Sequence, residues 1–301
     1  MRIPQGLRSA LASQTSTPPS TPTTDEYFSD VGVLLHGDGT NGSTAIVDSS
    51  TNNHTVNVNG NAQISTTKSK FGGSSMYFNG SGDYLTIPNN SSFDFGYGDF
   101  TIEFWMNPTY PNSTWQAIIS RNYNTSYGWR LYKIMNSNNF AFYQSGGSHI
   151  NTTNVTLTAG TWYHIAIVRS GTTLTIYVDG VAKGSGYSYT NLSPTADLEI
   201  GQGVVTSAYP YWGYLDDLRI TKGVARYTSN FTPPTASFST VTPGEKYFYQ
   251  NSLLLSADGS NGSTAIVDSS SNNLPVTVVG NSQISVRKER WRVSMLLVRL
   301  R

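Results

Sequence analysis

The chain has 301 residues, no cysteine and a formal net charge of +1, and charged residues make up only 12% of it. The lack of cysteine excludes disulfide cross-links and thiol catalysis, and no stretch approaches the roughly 18 apolar residues of a membrane-spanning helix. Residues 1–14 lack the apolar segment of a signal peptide.

The predicted elements are short and follow a linker. The Thr/Pro/Ser-rich stretch at 14–24 predicts that residues 1–30 are a disordered linker. Ten β-rich runs then alternate with Gly, Asn and Asp turns, and no window holds a 3.6-residue apolar period. These runs are 76–78, 84–87, 100–106, 115–120, 129–134, 140–143, 162–169, 174–178, 198–200 and 214–220.

Alternation within the runs predicts which side chains share a face. In the run at 100–106, apolar residues alternate with Thr101, Glu103 and Trp105. The run at 174–178 ends at Asp179-Gly180, a pair typical of a tight hairpin. The run at 162–169 is apolar on both faces, as in a central strand covered on each side. Two antiparallel sheets packed face to face account for these patterns, so the sequence predicts an all-β sandwich.

A long internal repeat sets the domain size. Residues 33–65 recur at 253–285 with a constant offset of 220 and no gaps. A unit of about 220 residues is too long for a solenoid turn and suits a whole β-sandwich. We therefore expect a complete domain at 31–238, a linker at 239–252 and the truncated start of a second copy at 253–285, through which chains could associate.

The last segment, 286–301, departs from the repeat abruptly and holds six of the 19 Lys and Arg residues. It resembles an out-of-frame ending, and the alternative is a basic arm for nucleic acid or a membrane surface. Without this segment, 13 Lys and Arg residues stand against 17 Asp and Glu residues, because six basic residues and one acidic residue are removed. The net charge of the rest is −4. The rest of the chain is thus mildly acidic, which argues against nucleic acid as a partner.

Four linked blocks carry a family resemblance. KFGGSSMYFNGSGDYLTIP, GDFTIEFWMNP, GTWYHIAIVRSGTTLTIYVDG and WGYLDDLRITKGVARYTSNFTPP resemble, in order and spacing, the laminin-G-like, concanavalin A-like lectin/glucanase superfamily over roughly 31–238. The resemblance implies a jelly-roll β-sandwich whose first and last strands are adjacent. DGTNGSTAIVDSS and KGVARYTSNFTPP are also similar to tandem modules in tail and fibre proteins of bacterial viruses.

The carboxylates argue against catalysis. Catalytic glucanases of this superfamily carry a Glu-x-Asp-x-x-Glu pattern on one strand, and it is absent here. The domain holds two glutamates, Glu103 and Glu199, on separate predicted strands. Glu103 shares a face with Trp105, which could form a sugar platform beside an acid, but the pair recurs in non-catalytic modules of the family. No nucleophile motif accompanies His164, so we interpret it as a structural histidine.

Three aspartates are candidate calcium ligands. Alternation places Asp216 on the face of Leu218 and Ile220, and a buried carboxylate requires hydrogen-bond donors or a metal. The resemblance implies one Ca²⁺ held by Asp side chains and carbonyl groups, and Asp83 and Asp48 stand in matching blocks. The alternative is that Asp216 accepts loop amides and Asp48 forms an Asx turn.

Six aromatic residues within 28 positions predict the ligand surface, and we expect about half of them to serve core packing. The predicted ligand-binding residues are Tyr187, Tyr189, Tyr209, Tyr211 and Trp212, together with Trp105 and Glu103. The sequence favours a non-catalytic binding or adhesion module that recognises carbohydrate or a surface protein, on an extracellular or virion appendage. The alternatives are a structural spacer domain of a virion fibre and, less favoured, a glycan hydrolase.

Overall fold

The computed structural model describes residues 24–109, 114–121, 127–144, 148–188, 190–202, 209–242, 255–256 and 267–268. The chain divides into two compact units, Thr23–Thr242 and a second unit made of Met1–Pro22 and Pro243–Arg301. The linker predicted before residue 24, the tail at 286–301, nearly all of the second repeat and Tyr189 lie outside the described residues. Among those described, no helix is long and apolar enough to cross a membrane.

The first unit is built from short strands joined by turns. Its 3₁₀ helices are η1 (Phe28–Asp30) and η2 (Ser91–Phe93). Its strands are β1 (Val31–Leu35), β2 (Asn57–Asn59), β3 (Gln63–Ser65), β4 (Ser75–Asn79), β5 (Tyr84–Ile87), β6 (Phe100–Pro108), β7 (Gln116–Arg121), β8 (Trp129–Lys133), β9 (Phe140–Gln144), β10 (Ser148–Asn151), β11 (Tyr163–Ser170), β12 (Thr173–Val178), β13 (Val181–Tyr187), β14 (Leu198–Ile200) and β15 (Trp212–Lys222). All ten predicted runs are strands; β1, β2, β3, β10 and β13 were not among them.

Two antiparallel sheets form a β-sandwich, as predicted. Sheet A has the order β13-β12-β11-β6-β15-β4-β3, and β1 also pairs with β15. Sheet B has the order β10-β9-β8-β7-β14-β5-β2. Because Val33 of β1 lies opposite Ile220 of β15, the first and last strands of the unit are adjacent, as the family resemblance implies.

The core between the sheets follows the predicted alternation. Phe100, Ile102, Phe104 and Met106 of β6 all belong to the main buried cluster. The outward residues of β11, Ala166 and Val168, are also buried, but in a separate cluster on the other face of sheet A. β11 is therefore a central strand covered on both sides, which confirms the expectation for the run at 162–169.

The predicted hairpin between β12 and β13 is present. Asp179 and Gly180 have φ angles of 48° and 75°, the positive values that a two-residue turn of this type needs. A Cβ atom at Gly180 would lie 1.8 Å from the carbonyl oxygen of Phe231. Glycine is thus required both by the turn and by the segment packed against it.

A β-bulge in β15 corrects one prediction. Asp217 has φ 50°, and the register with β6 shifts between Asp216 and Arg219. The extra residue changes the alternation, so Leu215 and Leu218 both face the core while Asp216 pairs with Trp105 on the outer face. The expectation that Asp216 shares a face with Leu218 and Ile220 is wrong for this reason.

Residues 224–242, here called the C-terminal strap, cover the outer face of sheet A. Ala225, Tyr227 and Phe231 pack on the outer cluster of β11 and β12. Phe238 packs with Phe28 of η1 in a further cluster. Residues 24–30 and 239–242 therefore belong to the compact unit, which extends beyond the predicted limits of 31 and 238 at both ends.

The described part of the second unit is one antiparallel pair of two-residue strands, β16 (Leu255–Ser256) and β17 (Val267–Asp268). Leu255 lies opposite Asp268. With the offset of 220, Leu255 and Asp268 correspond to Leu35 and Asp48 of the first copy. There the amide of Ser49 donates to the carbonyl of Leu34 at 2.7 Å, which is the same antiparallel register. This hydrogen bond of the first copy is thus in register with the strand pair of the second copy.

Candidate functional site

The outer face of sheet B carries a band of aromatic side chains on strands β7 to β9. Ala117, Tyr132 and Ala141 form a cluster on the face away from the core, with Trp115 and Tyr143 packed against it. The small alanines leave room between the larger rings. The Trp115 and Tyr132 rings have their centroids 5.1 Å apart and are tilted by 50°. Aromatic rings held in this way offer rigid apolar surfaces for a ligand.

Two adjoining cavities open along this band, and together they are called the aromatic groove here. The smaller cavity, of about 150 Å³, is lined by Trp115, Arg130, Tyr132 and Tyr209. The larger cavity, of about 340 Å³, falls within the range of about 300–1,000 Å³ typical of small-molecule sites. The described residues that line it are Gly80, Thr114, Trp115, Gln116, Met135, Tyr209, Pro210 and Trp212. Trp115 and Tyr209 line both cavities, so one elongated ligand could contact both.

Tyr209 is held in the groove by an unusual backbone conformation. Its φ angle is 81°, in the left-handed region that L-residues with a Cβ atom rarely adopt. The amide of Ala117 donates to the carbonyl of Tyr209 at 2.9 Å, which ties this conformation to strand β7. The side chain remains 41% exposed, with its ring centroid 6.4 Å from that of Trp115. Backbone strain of this kind is often found at functional sites.

Trp212 closes the larger cavity on the other side. A Cβ atom at Gly80 would lie 2.9 Å from Cβ and Cγ of Trp212. Gly80 also has φ 74°, so its turn and the close approach of the indole both require glycine. The amide of Thr109 donates to the carbonyl of Trp212 at 3.1 Å, which fixes the start of β15 beside β6.

Arg130 brings a positive charge to the smaller cavity. Its guanidinium carbon lies 4.7 Å from the centroid of Tyr132 and 5.9 Å from that of Tyr209. Its backbone lies in the middle of sheet B, opposite Ser120 of β7 and Tyr143 of β9. No Asp or Glu is among the described residues that line either cavity.

A polar row crosses sheet B at this level. Direct cross-strand pairs run in order through His149, Tyr143, Arg130, Ser120 and Glu199. Burial, with the nearby Arg130 charge, lowers the pKa of His149. Burial, with the nearby charge of Asp197, raises the pKa of Glu199 to about 7. Both shifts favour the neutral form of the group, so they reduce the charge of His149 and of Glu199.

The structure brings only some of the predicted ligand residues into the groove. Tyr209 and Trp212 line it. Tyr211 has no exposed surface and donates its hydroxyl hydrogen to the carbonyl of Tyr214 at 3.1 Å, so its prediction as a ligand contact is wrong. Tyr187 is 70% exposed, but it lies at the end of β13, the edge strand of sheet A.

Glu103 and Trp105 share the outer face of β6 as predicted, but that face is covered. Glu103 is fully buried and accepts from Nη2 of Arg219 at 2.7 Å and from the Tyr227 hydroxyl at 2.9 Å. Trp105 is 5% exposed, with Nζ of Lys70 3.7 Å from its ring centroid. Neither side chain is available to a ligand, which corrects their prediction as a sugar platform.

The charges around Glu103 explain its ionisation. Burial alone would raise the pKa of Glu103, but Arg219, His164 and Arg226 together lower it well below its ordinary value. His164 is fully buried, and its Nε2 lies 3.3 Å from Oε2 of Glu103. A structural role for His164 fits this position, since the histidine is enclosed by the strap and by β6.

The three predicted calcium ligands lie in three separate backbone-binding arrangements. Oδ1 of Asp48 accepts the amides of Leu34 and Ser50, and Oδ2 accepts the Ser50 hydroxyl and the His54 amide. The two oxygens of Asp83 accept the amides of Asn61 and Asn79.

Asp216 likewise accepts two amides through Oδ2, from Lys70 at 2.6 Å and Phe71 at 3.2 Å. Among the described residues, no group of three or more His, Asp or Glu side chains is placed to hold a metal ion. Donors occupy both oxygens of Asp48 and of Asp83 and Oδ2 of Asp216, and the three carboxylates are not grouped, so they do not fit one calcium site. The alternatives describe two of them: Asp216 accepts loop amides, and Asp48 accepts the amide two residues ahead, as in an Asx turn.

Trp115, Arg130 and Tyr132 were not among the site residues predicted from the sequence. A signal for two of them was present, because Arg130 and Tyr132 alternate with the core residues Trp129 and Leu131 on one strand. Tyrosine density near residues 187–214 pointed to the right kind of surface. The register of β7 against β8, which brings Trp115 beside Tyr132, is a tertiary feature.

The laminin G family model, described as the concanavalin A-like lectin/glucanases superfamily, matches residues 79–226. A search of curated protein sequences gave no match.

Solved structures of similar fold include binding domains of toxins and one domain of an arabinanase. The binding domain of Paraclostridial mosquitocidal protein 1 is 19% identical, with a TM-score of 0.52, over 66% of this chain and 50% of that chain. The binding domain of botulinum neurotoxin DC, solved in complex with SialylT, is 18% identical with a TM-score of 0.50, over 66% and 49%.

Domain 4 of AbnA, a GH43 extracellular arabinanase from Geobacillus stearothermophilus solved with arabinotriose, is 17% identical with a TM-score of 0.50, over 65% of this chain and 94% of that chain. The chain spans about half the length of the toxin binding domains it matches. At these identities the likeness shows the fold.

Proposed function

We propose that the domain is a non-catalytic module that binds carbohydrate in the aromatic groove, and the match of residues 79–226 to the concanavalin A-like lectin/glucanases superfamily model supports this. The observation that carries the proposal is the placement of Trp115 and Tyr209 along both cavities of one exposed sheet face. The apolar faces of sugar rings pack on aromatic side chains, while neutral polar groups can bond their hydroxyls.

The polar groups of the groove suit this ligand class. Thr114 and Gln116 line the larger cavity beside the aromatic rings. Both are neutral and can donate and accept hydrogen bonds, as a sugar hydroxyl requires. Two of the similar structures were solved with SialylT and with arabinotriose, which supports the proposal without assigning a ligand to this chain.

The carboxylates support a non-catalytic role. Glycoside hydrolysis generally uses two carboxyl groups that face the substrate from about 5 to 10 Å apart. Glu103 is enclosed by Arg219 and Tyr227 on sheet A. Glu199 lies on sheet B, outside the lining of either cavity. No pair of carboxyl groups faces the groove among the described residues, so the groove is suited to binding.

The setting is a separate part of the proposal. We propose that the domain acts as one unit of a tandem array on an extracellular or virion appendage. The support is the recurrence of residues 33–65 at an offset of 220. The same repeat favours the second candidate function, a spacer domain that has no ligand of its own.

Binding to a glycan array, followed by calorimetry with the strongest glycan, tests the carbohydrate proposal. Trp115→Ala should abolish binding, whereas Tyr97→Ala, which removes a 55% exposed tyrosine outside the groove, should leave it unchanged. Tyr187→Ala should also have no effect. Absence of binding to every glycan would contradict the proposal and favour the spacer. Release of reducing sugar from a bound glycan would show hydrolysis instead.

A further inference from the structure

The turn between β8 and β9 carries one residue of the aromatic groove. Met135, at the start of this turn, is 43% exposed and lines the larger cavity. Ile134, the residue before it, packs against the cluster of Ala117, Tyr132 and Ala141 on the outer face of sheet B. The turn therefore connects the aromatic band with the wall of the larger cavity, and its conformation sets the position of the Met135 thioether.

A buried ammonium group binds this turn at two points. Nζ of Lys133 donates to the carbonyl of Ile134 at 3.1 Å and to the carbonyl of Ser137 at 3.1 Å. These two carbonyl groups stand on either side of Met135 and Asn136 in the sequence. One side chain, itself only 1% exposed, thus ties both ends of the two-residue tip of the turn.

The backbone of the turn is closed at its base by further hydrogen bonds. The amide of Ile134 donates to the carbonyl of Asn139 at 2.9 Å, and the amide of Asn139 donates to Oγ of Ser137 at 3.0 Å. At the tip, Asn136 has φ 55°, in the left-handed region that residues with a Cβ atom rarely adopt. Lys133 therefore supports the part of the turn whose backbone is least favourable.

The burial of Lys133 is costly, which indicates that its two bonds matter. A buried ammonium group loses its hydration and needs hydrogen-bond acceptors in return. Burial lowers the pKa of Lys133 from 10.5 to about 8. The residues opposite it on β7 and β9 are Gln116 and Phe140, which are uncharged, and the turn at Ile134–Asn139 has no ionisable side chain. The two turn carbonyls therefore compensate the buried charge.

Another buried cation holds a turn in the same way but away from the groove. Arg169 donates through Nη2 to the carbonyls of Gly96 and Gly98 at 2.7 and 2.5 Å. Neither glycine is among the described residues that line the two cavities. Lys133 differs from Arg169 because the turn that it holds carries Met135.

We infer that Lys133 is a positioning residue of the aromatic groove, which holds the β8–β9 turn so that Met135 contacts the saccharide in the larger cavity. The inference rests on the proposed function. An ammonium group donates stronger hydrogen bonds than a neutral amine, so the turn is held most firmly while Lys133 keeps its proton. A site that is already ordered before the ligand arrives binds it more tightly than one that must first be ordered.

This role gives affinity and stability opposite responses to pH. As pH rises through about 8, Lys133 loses its proton, the turn is held less firmly and the affinity falls. The folded state releases this proton more readily than the unfolded state, in which the lysine has its ordinary pKa of 10.5. The contribution of Lys133 to the free energy of unfolding therefore rises between about pH 8 and about pH 10. A purely structural role would not make binding weaker while the fold becomes more stable.

Calorimetry with the strongest glycan of the array, from about pH 6.5 to about pH 9.5, tests the inference. Lys133→Leu should bind this glycan about tenfold more weakly than the wild type at pH 7, and its affinity should not fall further above pH 8. Met135→Ala should also bind more weakly and lack the fall. Adding Lys133→Leu to Met135→Ala should have little further effect, because both act through one contact.

Lys183→Leu is the matched control. Nζ of Lys183 also donates to a turn carbonyl, that of Asn154 at 3.4 Å, but Lys183 lines neither cavity. This variant should show the affinity and the pH dependence of the wild type. Chemical denaturation at each pH measures stability and shows that each variant is folded.

Methionine methyl NMR follows the turn without any ligand. Met135→Ala identifies the Met135 resonance, which should shift in the wild type as pH passes about 8. In Lys133→Leu it should be shifted already at pH 7. The resonance of Met76, which is fully buried in the core, should stay in place and reports that the fold is intact.

The outcomes separate the inference from the proposed function. A Met135 resonance that does not respond, or equal affinity of Lys133→Leu and the wild type, would overturn the positioning role and keep carbohydrate binding. If Lys133→Leu does not fold, a wild-type affinity that does not fall above pH 8 would overturn it equally. Absence of binding to every glycan would overturn both.

Discussion

Nη2 of Arg219 lies 2.7 Å from Oε1 of Glu103, and both side chains are buried under the C-terminal strap. Nη1 of the same guanidinium lies 2.8 Å from Oδ2 of Asp25, at the other end of the domain sequence. One arginine of β15 therefore links β6 with the first described residues of the domain. The carboxylate that looked like a catalytic candidate in the sequence is part of this internal ion-pair network.

Removal of Arg219 is expected to destabilise the domain strongly. Arg219→Met leaves two buried carboxylates with less compensation, and loss of one member of such a pair typically costs about 3–5 kcal/mol. Chemical denaturation measures the change. Glu103→Gln combined with Arg219→Met should recover part of the loss, because one of the uncompensated charges is then absent. A cost no larger than that of an exposed substitution would contradict a structural role for the pair.

Asp216 should make stability depend on pH in the neutral range. Burial raises its pKa from 3.8 to about 7, although the amides of Lys70 and Phe71 oppose the shift. The folded state then binds the proton more tightly than the unfolded state, so the free energy of unfolding falls as pH rises from about 4 to about 7. Asp216→Asn should reduce this fall and be more stable than the wild type at pH 8.

Two comparison variants make the pH experiment specific. Asp30→Asn changes an exposed aspartate and should leave the pH profile as it is. Glu199→Gln removes the other carboxyl group whose pKa is raised to about 7 and should reduce the fall by its own share. A profile identical in wild type and Asp216→Asn would show that Asp216 does not titrate in this window.

Alternation along single strands predicted most of the sandwich. The inward set of β6 and the turn at Asp179-Gly180 depend on local sequence, and both are present. The position of Asp216 was not predictable in this way, because one left-handed residue, Asp217, adds a residue to the strand and changes its parity. The strap over Glu103 is likewise a contact between segments far apart in sequence.

The aromatic character of the candidate site was predictable from the sequence, but only some of its residues were. Tyr209 and Trp212 belong to an aromatic-rich stretch that the composition reveals. Tyr211 lies between them and is buried in the core, although it has the same parity as Tyr209, whose left-handed backbone breaks the alternation. Trp115 and Arg130 come from other strands, and their approach to Tyr209 depends on the order of strands in sheet B, which no local pattern encodes.

The backbone conformation of Tyr209 is expected to lower the stability of the domain, while its ring is needed for saccharide binding. Tyr209→Ala and Tyr209→Gly both remove the ring, but only glycine adopts φ 81° without steric strain. The glycine variant should therefore be more stable than the alanine variant by about 1 kcal/mol, measured by chemical denaturation. Both should lose the saccharide bound by the wild type. Equal stability of the two would show that the left-handed backbone is not strained.

Asp48 should stabilise the domain through hydrogen bonds rather than through a cation. Its two oxygens already accept four donors from residues 34, 50 and 54. Asp48→Ala leaves the buried Leu34 amide without this acceptor, and the expected cost is about 1–3 kcal/mol. Addition of EDTA to the wild type should leave its melting temperature unchanged. A fall in melting temperature with EDTA that added Ca²⁺ reverses would show a calcium site.

The limits of the folding unit can be tested by cutting the chain. A chain of residues 24–242 keeps Asp25 with Arg219 and Arg226, and it keeps Phe28 against Phe238. It should unfold in one cooperative transition with the midpoint of the full-length protein. A chain of residues 31–238 loses Asp25 and Phe28 and should unfold at lower denaturant, because two buried arginines lose a partner.

Asp25→Asn in the 24–242 chain isolates the charge from the packing, so its midpoint should lie between those of the two cut chains. Far-ultraviolet circular dichroism and tryptophan fluorescence should give coincident transitions for 24–242. If the 31–238 chain were as stable as the 24–242 chain, the contacts of Asp25 with Arg219 and Arg226 would contribute nothing measurable to stability. The folding unit would then have the predicted limits of 31 and 238.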